Sequence, residues 1–187
     1  MGQICNVMMV VDGEYLYDSM ISEKRAFSLD KDNPQQIWFL NDKSNYQFLV
    51  APKKFVENKQ ASSDLALTNL RRHDEISFRA TTVDGNSDFT AIIYDIKRTG
   101  EVQVTGHFTS EIETITEAAL PSDGYTPGSS TPFWHHGVAK IAEFCTTLVS
   151  TGTENYEIYF ALFMTKESSD KQELVGYFTW DPKITVH

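Results

Sequence analysis

Cysteine, proline, positive charge and long apolar runs are all scarce in this chain, which has two Cys and six Pro in 187 residues. Cys5 and Cys145 alone make no disulfide framework of the kind that staples small secreted domains. Both sit in apolar, strand-like surroundings and read as buried free thiols. No stretch approaches the ~18 apolar residues of a membrane-spanning helix. The opening Met1-Gly-Gln-Ile-Cys-Asn6 lacks the basic and apolar parts of a signal peptide, and Asn6 stands where a myristoylation site has Ser or Thr. The expectation is a cytoplasmic protein with no membrane span. Lys and Arg number 16 against 26 Asp and Glu, a net charge of −10, and no basic cluster exceeds the pairs Lys53-Lys54 and Arg71-Arg72. A field of that sign repels nucleic acid and anionic lipid, so neither is an expected partner.

Catalytic signatures are missing too. There is no Gly-x-Ser-x-Gly, no Gly-x-x-x-x-Gly-Lys and no Gly-x-Gly-x-x-Gly. His73 and His107 stand alone, while His135 and His136 are neighbours that point to opposite faces of an extended chain. No catalytic residue is assigned, no cofactor is required, and the protein reads as non-enzymatic.

What is present is β-structure. The chain is 41% hydrophobic and 12% aromatic, enough for one packed domain over residues 1–187. Its clearest part lies between Thr153 and Pro182. Tyr156, Ile158, Phe160, Leu162 and Met164 share one face of a strand, and Leu174, Gly176, Phe178 and Trp180 one face of the next. The polar stretch Lys166–Glu173 joins them, and Pro182 ends the hairpin. Ile4–Val11 is apolar on both faces and belongs inside a layer. Further strands are expected at 36–40, 46–50, 66–70, 75–82, 89–97, 101–109, 138–144 and 146–151. Residues 75–82 and 89–97 are read as a second hairpin. Glu14–Met20 fits a short helix or an irregular crossing, and Ile112–Ala119 fits a helix ended by Pro121. Residues 121–132 form a Pro/Gly/Ser-rich loop. The fold expected is all-β, an antiparallel β-sandwich with Greek-key or jelly-roll connections and one or two short helices.

Two features invite a ligand. Asp84-Gly-Asn86-Ser-Asp88 matches the first three ligands of a calcium loop, but Phe89 occupies the sixth position, where that loop needs Gly. The competing readings are a turn capped by its own Asx side chains and a calcium site completed from a neighbouring loop. Aromatic residues near turns are the second feature: Trp134, Phe133 and Tyr125 beside the long loop, Trp38 and Tyr46 beside another. Asp84, Asn86, Asp88 and Trp134 together would suit a carbohydrate, with or without calcium. Otherwise Trp134 folds back to plug one end of the sandwich.

Three ordered segments carry a family resemblance: Ile4-Cys-Asn-Val-Met-Met-Val-Val-Asp12; His73 to Tyr94, including Arg79, Asn86, Asp88 and Tyr94; and Gly152-Thr-Glu-Asn-Tyr-Glu-Ile-Tyr-Phe-Ala-Leu162 with Gly176-Tyr-Phe-Thr-Trp-Asp-Pro182. Together they resemble the PixA/AidA family of bacterial inclusion-body proteins across essentially the whole chain. Residues 13–35 and 110–135 are least alike. The resemblance implies a bacterial cytoplasmic protein, accumulated at times as crystalline inclusions under growth-phase or quorum-sensing control, with no established activity. Described members can be methionine-rich; with 5 Met, this chain is not, which weakens an amino-acid storage role. Exposed sheet edges and an acidic, aromatic-rich surface add the expectation of a homo-oligomer.

Overall fold

A computed structural model of the chain describes residues 2–37, 47–57, 61–122, 126, 134–166 and 171–187. The described chain forms two six-stranded sheets. The first has the order β4 (Ala61–Ser62), β3 (Gln47–Val50), β1 (Ile4–Val11), β6 (Glu75–Thr82), β9 (Trp134–Thr147), β8 (Thr109–Pro121). The second runs β2 (Gln35–Gln36), β11 (Gln172–Trp180), β10 (Gly152–Thr165), β12 (Lys183–Val186), β5 (Asp64–Leu67), and β7 (Phe89–Thr99) pairs with β10. One helix, α1 (Gly13–Ser22), and a 3-10 turn at Lys53–Phe55 complete the described regular structure.

The C-terminal hairpin forms as its alternation dictates. Tyr156, Ile158, Phe160 and Leu162 are fully buried, as is Phe178 across from them. Leu162 pairs with Gly176 and Phe163 with Leu174, so Val175 is an extra residue at a bulge. On its other edge β10 meets β7, where Phe160 pairs with Ile93 and Tyr159 with Asp95, leaving Tyr94 unmatched in a second bulge. β1 lies between β3 and β6, with Cys5, Val7, Met9 and Val11 buried. Both cysteines are free and buried.

A single apolar cluster draws on both sheets and on Leu16 and Met20 of α1. At its centre Phe78 of β6 meets Tyr156 of β10, ring centroids 6.1 Å apart, and Phe108 lies 5.9 Å from each. Asp12 caps α1 by accepting the Tyr15 N–H at 3.0 Å. Gly13 follows because a Cβ there would come within 2.6 Å of Phe89.

Four expectations need correction. The sheets are mixed rather than antiparallel, since β1–β6, β2–β11 and β5–β12 are parallel pairs. Parallel partners are joined by long crossovers, here residues 12–74 between β1 and β6, which leave no local signature. Ile112–Ala119 is strand rather than helix. Ile112 and Ile115 are spaced as on a helix but lie on opposite faces of a regularly paired stretch, and the two-residue period breaks only beyond them, at a bulge between Ile115 and Ala118. Residues 75–82 and 89–97 are not hairpin partners; the turn between them carries the chain from one sheet to the other. Residues 101–108 form no strand beyond a single bridge, Thr105 to Leu148. Instead this loop is fastened to Glu154, which is 2% exposed and accepts hydrogen bonds from the Thr105 N–H, the Thr105 hydroxyl and the Tyr156 hydroxyl.

Candidate functional sites: a self-capped turn, a projecting ribbon and a tyrosine-floored groove

The turn at 84–88 uses its own side chains. The Asp84 carboxylate accepts the N–H groups of Asp88 at 2.7 Å and Phe89 at 2.8 Å, and lies against the Thr82 hydroxyl. Burial alone would raise its pKa, but the Thr82 hydroxyl and those two N–H groups outweigh it and hold the carboxyl below the usual range. The Asn86 side-chain oxygen accepts from the Thr82 N–H at 3.0 Å and the Ala91 N–H at 3.3 Å. Gly85 and Asn86 both take left-handed backbone conformations, φ +72° and +65°, which Gly and Asn tolerate best. Asp88 is exposed and faces a small hollow shared with Asp12, Glu14 and Asp84. Of the four expected ligand residues, three therefore share this turn, two of them with side-chain oxygens committed to backbone.

Trp134 belongs to another part of the molecule. It pairs with Pro121 at the far end of the β8–β9 ribbon, and its ring packs on His136 with centroids 4.9 Å apart. Lys140, which lines a hollow with Asn86, is six residues along β9, roughly 20 Å of extended chain. At 41% exposed, Trp134 does not plug the core. Tyr125, Phe133, Trp38 and Tyr46 lie outside the described residues.

The ribbon itself is the larger feature. β9 pairs with β6 only over Phe144–Thr147, whereas it pairs with β8 from Thr109↔Cys145 out to Pro121↔Trp134. Beyond Phe144 the two strands pair only with each other among the described residues. Ile112 is 70% exposed and Val138 61%, with Ile115 also exposed on the opposite face from Ile112. The root is pinned by Arg79, whose guanidinium reaches Glu143 at 2.9 Å and Glu113 at 3.0 Å. Burial pushes the Glu143 pKa up, but Ser77 and Arg79 bring it below the ordinary value. Glu111, Glu143 and Cys145 come within metal-ligating distance of one another, yet Glu143 already serves Arg79 and Ser77. Burial lifts the Cys145 thiol to about 11, which suits a structural cysteine rather than a ligand.

A groove of about 900 Å³ crosses the outer face of the second sheet. Tyr94, Tyr159 and Thr179 contribute to its floor, from β7, β10 and β11. Lys31 to Gln36 form one wall, Asp95 and Lys97 the other. The Tyr94 ring meets Tyr159 and Tyr177 edge-on, centroids 6.0 and 5.5 Å away, and its hydroxyl donates to the Lys31 carbonyl at 2.9 Å. Burial and the charges of neighbouring groups raise the Tyr94 pKa to about 12. Sequence reasoning missed this groove, because its residues come from four separated segments. The available signal was Tyr159 on the outward phase of β10, with Tyr177 on β11 beside it.

Comparison with known proteins agrees with this fold. No curated protein matches the sequence. The crystal structure of an inclusion body protein (PixA) from Burkholderia cenocepacia J2315 superposes with a TM-score of 0.75 at 24% identity, covering 100% of this chain and 97% of that one. The solution structure of Amebosin reaches a TM-score of only 0.25 at 10% identity, over 65% of this chain and 88% of that one, too low to bear on the fold. The PixA inclusion body protein family model matches residues 3–186; the chain belongs to that family.

Proposed function

We propose that the protein is a non-enzymatic, self-associating component of inclusion bodies in the bacterial cytoplasm, and that its copies join through the β8–β9 ribbon. One observation carries this reading: a two-stranded ribbon exposes aliphatic side chains on both faces. Such a ribbon is marginal in water by itself and gains most from being covered. In an inclusion body the commonest neighbour of any copy is another copy, so the occupant we commit to is a second chain of the same protein. The area is adequate. Some ten residue pairs at ~3.3 Å each give a ribbon roughly 35 Å long and ~10 Å wide, about 350 Å² per face. Two faces approach the ~800 Å² per partner of a standard stable interface. The shared core is what a sandwich of the two sheets would give, with the ribbon reaching past its edge.

Sedimentation over a range of concentrations tests the reading. The expected result is dimers or larger species for the natural chain, and monomer for a variant carrying Ile112→Lys and Val138→Lys. Both positions are exposed, so the variant should keep its stability within about 0.5 kcal/mol. A natural chain that stays monomeric at every concentration, or a variant that associates equally well, would overturn the proposal.

A further inference from the structure

The groove on the second sheet has the attributes of a prepared binding site rather than a gap between side chains. Its volume lies within the ~300–1,000 Å³ of small-ligand sites. The bulge at Tyr94 breaks the regular alternation of β7, a device that re-aims side chains beside functional sites. The wall opposite is fixed before any ligand arrives. Ser28 donates its hydroxyl to the Asn33 carbonyl at 2.7 Å, Asp30 accepts the Asp32 N–H at 3.0 Å, and the Tyr94 hydroxyl holds Lys31. The Tyr177 N–H, bonded to the Ser28 carbonyl at 2.8 Å, ties the same loop to β11. Thr179 supplies an independent observation. It is 5% exposed, contributes to the groove, and its hydroxyl has no hydrogen-bond partner among the described residues. Native interiors rarely leave such a group unmatched.

The lining selects the ligand chemistry. Tyrosine rings beside amide, hydroxyl and carboxylate groups exclude a purely apolar ligand. The two ammonium groups are already engaged, Lys31 with Asp32 at 2.5 Å, and Lys97 with Asp95 at 3.5 Å and with the Tyr159 ring, 4.3 Å from its centroid. Asp30 and Glu157 add negative charge close by, Glu157 accepting the Tyr159 hydroxyl, so phosphates, sulfates and acidic sugars are disfavoured. An uncharged molecule rich in hydroxyls fits this lining: its C–H groups pack against the tyrosines beside the Lys97 ammonium, and its hydroxyls meet Asn33, Gln35 and the Asp95–Lys97 pair. We propose that this groove binds a neutral oligosaccharide on a floor of Tyr94, Tyr159 and Thr179, separately from the Asp84–Asp88 turn and without a metal ion.

The test is an array of neutral and acidic oligosaccharides probed with the full chain, followed by calorimetry on the best neutral ligand. Tyr159→Leu keeps an apolar side chain but removes the ring, and Asn33→Ala trims an exposed wall; each should weaken binding at least tenfold while thermal unfolding shows the fold intact. Asp88→Ala, Trp134→Ala and added chelator should leave the affinity unchanged. The proposal is overturned if no neutral glycan binds, if only acidic glycans bind, or if affinity survives both groove variants. Loss of binding on chelation, or in Asp88→Ala or Trp134→Ala, overturns it as well.

Discussion

Truncating Glu154 to alanine should destabilise the protein by about 3–4 kcal/mol, as expected for breaking a buried charged network. The Glu154 side chain is 1% exposed. Its Oε2 accepts the Tyr156 hydroxyl at 2.6 Å, the Thr105 hydroxyl at 2.6 Å and the Thr105 N–H at 3.0 Å. Oε1 takes the Val104 N–H at 3.3 Å, with the Arg98 guanidinium 3.7 Å away. Hydrogen bonds to a charged group contribute roughly 1.5–3 kcal/mol each, and a buried donor left without a partner costs about 1–3 kcal/mol. Removing the carboxylate strands both Thr105 donors among fully buried residues and leaves the Tyr156 hydroxyl only the Thr105 oxygen at 3.4 Å. The offset is that the carboxylate no longer bears its own desolvation, which keeps the net well below the sum of the bonds. Tyr156→Phe removes the bond to Glu154 and a long 3.4 Å bond to the Thr105 hydroxyl oxygen, and should cost about 1–2 kcal/mol. Because Glu154 and Tyr156 share the first of these, the double variant should be less destabilised than the sum by about 1 kcal/mol or more. Urea unfolding, with midpoint and slope both recorded, measures all three. A loss under about 1 kcal/mol for Glu154→Ala, or strict additivity with Tyr156→Phe, would refute the claim that this carboxylate anchors residues 104–105.

Acid should destabilise the fold through Asp84 and Glu143, whose folded pKa values both lie below the ordinary carboxylate range. For a depressed carboxylate, the stabilisation is complete above the unfolded value near ~4 and is lost as pH falls through the lower folded value. Thermal unfolding across a pH series should therefore decline most steeply below about pH 4, and Asp84→Asn should show a lower melting temperature at neutral pH with a shallower acid decline. An acid decline in Asp84→Asn as steep as in the natural chain would count against the Asp84 contribution. Gly13→Ala should destabilise by about 1–3 kcal/mol, as overpacking does, despite alanine's ~1 kcal/mol helix advantage, because the new methyl would come within 2.6 Å of Phe89. Unchanged or raised stability of that variant in urea would show that Phe89 yields easily.

The parts of the fold legible in the sequence are those where a strand keeps its phase and buries one face. Tyr156 to Leu162 alternates without interruption and is buried as expected, and Ile4–Val11 lies between two strands of a sheet as expected, although only the face of Cys5, Val7, Met9 and Val11 is buried. Legibility fails where a bulge shifts the phase, as at β8, where Glu and Ala residues also favour helix in isolation. The β-branched run Ile112-Glu-Thr-Ile-Thr116 was the better guide there. It fails again where pairing is non-local, since three of the strand pairs are parallel. For the candidate sites, the Asx-capped reading of residues 84–88 matches the observed hydrogen bonds. Trp134 is not legible as separate from that turn, because nothing in the sequence reveals that β9 carries it away along the ribbon.

The ribbon and the groove occupy different sheets: one is built from β8 and β9, the other from β7, β10, β11, β2 and the segment before it. No residue is shared between them. Copies joined through their ribbons would each keep an open groove, and grooves held at fixed spacing bind a repeating polymer far more tightly than one groove binds a short fragment. The two activities should therefore separate in one direction only. Ile112→Lys with Val138→Lys should abolish tight binding to a polysaccharide while leaving the affinity for a single short oligosaccharide intact, whereas Tyr159→Leu should remove both and leave the association state untouched.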